Sequence, residues 1–150
     1  DAGSTTEQLA TYLTEKDAVY VTNGITLAQK LAQRGLKTLL LAGRVKATTD
    51  AVIGTEAVAS LQHYHFSKGF FGTNGITVEE GFTTPDIEEA MNKRVAMEHC
   101  RKCYVLADAS KFEALSNVSF GPLSKGVIIT AAQESLNVKP YKQHTEVIVL

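Results

Sequence analysis

Runs of apolar residues alternate along this chain with stretches whose apolar residues recur three or four apart. The runs cover residues 18–22, 37–42, 66–71, 104–107, 126–130 and 145–150. They are short, rich in Val, Ile, Leu and aromatics, and nearly continuous, which is the pattern of strands covered on both faces. The second rhythm predicts helices. One covers residues 7–13, with Leu9 and Leu13 four apart and Tyr12 beside them. A second covers 25–34, pairing Leu27 with Leu31 and Ala28 with Ala32, and stops at Gly35. A third covers 55–61. The longest is predicted after Thr84, read as its N-cap, with Pro85 in the first position and Asp86 complementing the dipole. Ile87, Met91 and Val95 are expected to form its buried stripe, and basic Arg101 and Lys102 lie near its end. Asn23-Gly24 reads as a turn, 43–50 as a polar loop and 112–125 as an irregular surface loop. Strands alternating with helices imply βαβ units, so the expected fold is α/β. It is one domain over residues 1–150, with a mostly parallel sheet and helices on both faces.

The polar residues that stand out fall just after the strands. Thr22-Asn23-Gly24, Gly43-Arg44, Gly72-Thr73-Asn74-Gly75 and Asp108-Ala109-Ser110-Lys111 each follow a run, and Gly3-Ser4-Thr5-Thr6 precedes the first helix as a strand-to-helix loop would. In an open α/β sheet the carboxyl ends of the strands form one edge, where ligands bind. Each loop alone has a plain reading: a Ser/Thr N-cap, an Asn-Gly turn, a solvated lysine, or an Asp108–Lys111 ion pair. Five loops on one edge point instead to a binding site. Free N–H groups, hydroxyls and a helix dipole suit a phosphate. Asparagine amides and Asp108 suit sugar hydroxyls, and Lys111 adds a point charge for an anion. Few aromatics lie near these loops, so a flat base has little to stack on, and a small phosphorylated polyol or sugar fits best. The candidate ligand-binding residues are Asp1, Gly3, Ser4, Thr5, Thr6, Thr22, Asn23, Gly43, Arg44, Gly72, Thr73, Asn74, Asp108 and Lys111.

Composition narrows the field. With 15 basic and 16 acidic residues the net charge is −1, which argues against these residues gripping nucleic acid by themselves. There is no apolar run of about eighteen residues and no signal-peptide pattern, so a cytoplasmic protein is expected. No Walker A loop and no G-x-G-x-x-G motif occurs. Cys100-Arg101-Lys102-Cys103, beside His99 and with His63 and His65 upstream, has the outline of a redox or zinc motif. Cys103 instead opens an apolar strand, so no metal and no cofactor are expected.

The motifs together resemble the effector-binding domain of DeoR-family transcriptional repressors of sugar operons. They are Asp1-Ala2-Gly3-Ser4-Thr5-Thr6, Val21-Thr22-Asn23, Leu41-Ala42-Gly43 and Phe71-Gly72-Thr73-Asn74-Gly75-Ile76. Gly81-Phe82-Thr83-Thr84-Pro85-Asp86, Glu89-Ala90 with Lys93-Arg94, and Ala107-Asp108-Ala109-Ser110-Lys111-Phe112 follow in family order. The resemblance implies the fold of ribose-5-phosphate isomerase and glucosamine-6-phosphate deaminase. It also implies a sensor that binds a phosphorylated sugar at the strand-end rim and alters operator affinity. The winged helix-turn-helix that reads DNA in such proteins is not among these residues, and oligomers are expected. Fructose 1-phosphate and other phosphorylated hexoses are the first candidates as effector. Two positions depart from the family. Arg44 stands where a second glycine is common and is expected to narrow the pocket or reach the phosphate. The loop at Gly72-Thr73-Asn74-Gly75 lacks the acidic residues of the isomerases, so no catalysis is expected, with an isomerase-like enzyme using Glu79, Glu80 or Asp108 as the alternative. The loop at Asp1 also reads as if a strand should lead into it.

Overall fold

The computed structural model describes all residues, 1–150. Four parallel strands form the main sheet in the order β11-β10-β8-β5. These are β5 (Phe66–Gly72), β8 (Cys100–Leu106), β10 (Val127–Thr130) and β11 (Val147–Val149). A second parallel pair joins β1 (Val19–Thr22) to β2 (Lys37–Leu40). Helices α1 (Ser4–Gln8, continued by a 3-10 turn over Leu9–Thr11), α2 (Ile25–Gln33), α3 (Thr55–Leu61) and α4 (Ile87–Glu98) accompany them. The α/β, mostly parallel architecture is as expected, and no helix is long and apolar enough to cross a membrane.

Two antiparallel pieces were not foreseen. The stretch read as a polar loop, 43–50, holds β3 (Arg44–Lys46), which forms a hairpin with β4 (Ala51–Ile53) just after it. Three-residue strands are too short for a period to show, yet Ala51, Val52 and Ile53 are all buried. The second piece is a three-stranded sheet of β6 (Gly75–Thr77), β7 (Gly81–Thr84) and β9 (Val118–Gly121). It draws in part of the segment expected to be surface loop: Phe112, Phe120 and Leu123 all belong to the main core. The same core contains Phe82, Val105, Ile128 and Tyr141, so this sheet and the parallel one share a single apolar interior.

Helix α4 is turned differently from the expectation. Thr84 lies in β7, and Asp86 is the N-cap, its carboxylate accepting from the N–H groups of Glu88 and Glu89 at 2.9 and 3.0 Å. Ile87 and Met91 are exposed, at 57% and 44%, and the inward face is Ala90, Asn92, Lys93 and Met97. Position, not hydrophobicity, decides here: Ala90, Lys93 and Met97 are three and four apart, hence stacked on one face.

Backbone conformation is demanding at Gly81. Its φ is +70°, and a Cβ there would sit 2.3 Å from the Gly121 carbonyl oxygen. Gly35 has φ +74° but open space around its missing Cβ. An alanine in this conformation costs about 1–2 kcal/mol from the backbone alone. Gly35→Ala is therefore expected to lower the unfolding free energy by about that amount. Gly81→Ala should cost clearly more, as read from urea denaturation midpoints; equal losses would show that the β7–β9 contact is not tight.

Candidate functional site

The carboxyl ends of β1 and β5 are tied together by one residue. The Asp1 carbonyl accepts from the Thr22 hydroxyl at 3.2 Å and the Thr6 hydroxyl at 3.3 Å. Its carboxylate accepts from the Gly72 N–H at 2.8 Å and from the Ala2 N–H at 2.9 Å. The third donor to the carboxylate is the Lys93 ammonium, which also donates to the Gly72 carbonyl at 3.0 Å. Both side chains are buried, Lys93 at 8% and Asp1 at 5% exposure. Burial lowers the Lys93 pKa to about 8, with the charge of Glu89 pulling it back up. Its ammonium also lies 5.4 Å from the centre of the Phe120 ring.

A second knot lies beside the first. The Asn23 and Asn92 side-chain amides both donate to the Val52 carbonyl, at 3.2 and 2.9 Å, and the Val52 N–H donates to the Asn23 carbonyl at 2.7 Å. Gly43 fits closely here, since a Cβ on it would sit 2.6 Å from the Ile53 carbonyl oxygen. The hairpin β3–β4 thus packs its buried strand onto the rim.

The expected site residues fall into two groups. Thr6, Thr22, Asn23, Gly72 and Thr73 are drawn together but spend their polar groups on the protein. The Thr6 hydroxyl donates to the Gly3 carbonyl, and Thr73 donates to the Gly75 and Thr83 carbonyls at 2.8 and 3.0 Å. Asp1 belongs with them. The second group keeps its donors free. Ser4 and Thr5 are exposed, with no hydrogen bond from either hydroxyl, and the first-turn N–H groups from Gly3 to Thr6 have no acceptor within the helix. Gly3 has φ +120°, which opens that turn outward. Asn74 is exposed, and its amide oxygen accepts from the Thr84 hydroxyl at 3.1 Å. That bond leaves its NH2 unused. Lys111 lies beside Gly75, because Phe112 bridges Ile76 in parallel and the Glu113 N–H donates to the Ile76 carbonyl at 2.9 Å.

Two expectations about charged groups change. Arg44 neither narrows the pocket nor reaches toward the α1 loop: its guanidinium pairs with Glu88 at 2.5 Å on the first turn of α4. Lys46 beside it pairs with Asp86 and Glu89 at 3.0 and 2.9 Å, so this arm fastens the hairpin to the helix. Asp108 and Lys111 form no ion pair. Asp108 instead caps the turn over Ala109–Lys111, and its bond from the Ser110 hydroxyl, with the Ser110 N–H at 2.8 Å, holds its pKa below the usual carboxylate range.

Lys93 and Asn92 were missed as site residues. The available signal was a lysine at the helical spacing of Ala90 and Met97, where a buried cation needs a partner. The two cysteines form no disulfide, and β8 begins at Cys100.

A family model described as the DeoR C terminal sensor domain matches residues 1–131. The chain is 40% identical to the uncharacterized HTH-type transcriptional regulator FruR of Bacillus subtilis (strain 168), a match covering 100% of this chain and 60% of that protein. It is 31% identical to the lactose phosphotransferase system repressor of Streptococcus mutans, over 97% of this chain and 59% of that protein. It is 32% identical to the putative aga operon transcriptional repressor of Escherichia coli O157:H7, over 77% of this chain and 44% of that protein. The chain therefore spans roughly half the length of the curated relatives it matches.

Removing one partner of a buried ion pair strands the other, at a cost of about 3–5 kcal/mol. Lys93→Met is expected to lower stability by that order in urea denaturation. Adding Asp1→Asn to Lys93→Met should recover a large part of the loss. Simple additivity of the two substitutions would mean that the pair does not act as a unit.

Proposed function

The chain belongs to the DeoR C-terminal sensor domain family, and from that premise we propose that it is the effector-binding part of a transcriptional repressor of a sugar operon. The effector is a phosphorylated sugar, seated on the strand-end rim. The observation that carries the reading is the separation of polar groups there. Most bond inward to fix the loops, while the Ser4 and Thr5 hydroxyls, the first-turn N–H groups of α1, the Asn74 NH2 and the Lys111 ammonium are left over. Hydrogen-bond donors of this kind suit a phosphate at the α1 loop and an oxygen-rich ligand beside Asn74 and Lys111. Binding changes operator affinity by favouring one arrangement of the assembled repressor, whose DNA-reading part lies outside these residues. A cytoplasmic homo-oligomer is the setting this role requires.

The relatives are named as regulators, not enzymes, and the carboxylates fit that role. Glu79 and Glu80 occupy the turn between β6 and β7, at the far end of that hairpin from Gly75, and Glu80 accepts from the Ser119 hydroxyl at 3.2 Å. Asp108, with its lowered pKa and its Ser110 bonds, is a weak base.

Thermal unfolding against a panel of fructose 1-phosphate, other hexose phosphates and inorganic phosphate tests the reading. A ligand present at a hundred times its Kd stabilises the folded state by about 2.7 kcal/mol, an upward shift easily seen. Lys111→Ala is expected to weaken the responding ligand at least about tenfold, a loss of about 1.4 kcal/mol, with the ligand-free transition unchanged. No response across the panel would remove the sensor reading. Deuterium uptake from solvent at the sugar C2 would favour an isomerase instead.

A further inference from the structure

The loops that carry Asn74 and Lys111 are distant in sequence, yet they are pressed together. Phe112 bridges Ile76 in parallel, and the Glu113 N–H donates to the Ile76 carbonyl at 2.9 Å. A Cβ on Gly75 would sit 2.2 Å from the Ala114 carbonyl oxygen, so only glycine lets the two backbones lie this close. Glu113 has φ +58°, in the left-handed region that a residue with a side chain keeps only when its surroundings hold it there. Tyr141 supplies that hold. It is fully buried in the main core, with its ring edge-on to Phe112 and the ring centres 5.0 Å apart. Its hydroxyl donates to the Glu113 carboxylate at 2.5 Å and accepts from the Glu113 N–H at 3.2 Å, with the Ile76 carbonyl as a second acceptor at 3.2 Å. Burial and the Glu113 bond push its pKa up to about 12, so the proton stays in place through the neutral range.

We propose that Tyr141 is a positioning residue for the effector: through Glu113 and Ile76 it sets where Lys111 stands relative to Asn74. The proposal rests on the reading that these two side chains face the ligand. Lys111 ends a single 3-10 turn, Ala109–Lys111, which is too short to fix the path of the chain by its own hydrogen bonds. The turn follows β8 on one side, and on the other the chain is fixed at Phe112 and Glu113, both of which touch Tyr141. Tyr141 opens a 3-10 turn after β10 and lies beyond residues 1–131, which match the sensor-domain family. A stretch outside that match therefore sets the spacing of two residues inside it.

Tyr141→Phe tests the role, because it removes the hydroxyl and keeps the ring against Phe112. No buried group is stranded: the Glu113 N–H keeps the Ile76 carbonyl, and Glu113 itself is exposed. The variant should fold, with amide exchange along β8 and β10 unchanged. Without any ligand, the amides of Lys111, Phe112 and Glu113 should exchange at least about tenfold faster than in the parent chain. Unchanged exchange there would overturn the proposal whatever the protein binds. Lost protection throughout β8 and β10 would overturn it as well, since Tyr141 would then serve the core as a whole. Fructose 1-phosphate is the probe for the binding arm. Tyr141→Phe should weaken it about fivefold or more in the parent chain and much less in Lys111→Ala, because a positioning residue acts through the residue it positions. Equal losses in the two backgrounds would overturn the proposal. Faster exchange without binding by the parent chain would support the hold of Tyr141 on the loop and count against the sensor reading alone.

Discussion

The Lys93 ammonium is a full charge held among apolar side chains, and the strand-end rim is built around neutralising it. Burying a cation without compensation costs several kcal/mol, so its partners must be placed with little freedom. Asp1 supplies the opposite charge and Gly72 a carbonyl, and two backbone N–H groups also donate to the Asp1 carboxylate. Three elements meet through this requirement: the loop before α1, the end of β5 and the middle of α4. The Asp1 carbonyl adds β1 through Thr22. A buried ion pair is weak as a source of stability but strict about geometry, which is what a rim assembled from separate loops needs.

That strictness explains why so few of the rim's polar residues face outward. Thr6, Thr22, Asn23 and Thr73 are buried and bonded within the protein, so they shape the loops. The free donors sit one layer out, on Ser4, Thr5, Asn74 and Lys111, carried by backbone that the inner layer has already fixed. Among the carboxylates at the rim, that of Asp1 already accepts from three donors, two backbone N–H groups and the Lys93 ammonium.

The parallel strands were legible as nearly continuous apolar runs, and the helices between them are long enough to show a period. The strand at 104–107, the helix at 25–34 and the one at 55–61 appear within a few residues of expectation. The antiparallel hairpins were not legible. Strands of three residues, Arg44–Lys46 and Gly75–Thr77 among them, carry no readable alternation, and Asn74-Gly75 has the plain reading of a turn. Helix α4 misled for a different reason. Its most hydrophobic side chains, Ile87 and Met91, face outward, and tertiary demands place Ala90, Asn92 and Lys93 inward. The rim was readable as a set of loops following strands. Which members bond inward depends on contacts between residues as far apart in sequence as Asp1 and Lys93, and no local pattern reports these.

Asp1 also belongs to a groove between the two parallel sheets, at its polar end with Thr22, Asn23, Asn92 and Lys93. The rim's inner layer and the groove's end wall are therefore the same residues. A rearrangement at that end bears on the Asp1–Lys93 pair, and through it on the slant of α4 and the position of the α1 loop. Helix α4 in turn holds the β3–β4 hairpin by Lys46 and Arg44, and contacts β9 through Arg94, whose guanidinium donates to the Ser119 carbonyl at 2.6 Å. A displacement at the loop before α1 thus has a short, mechanically stiff route through one helix to both antiparallel sheets. The packing of those sheets, more than the parallel strands, is where a change at the rim would reach the outer surface of the domain.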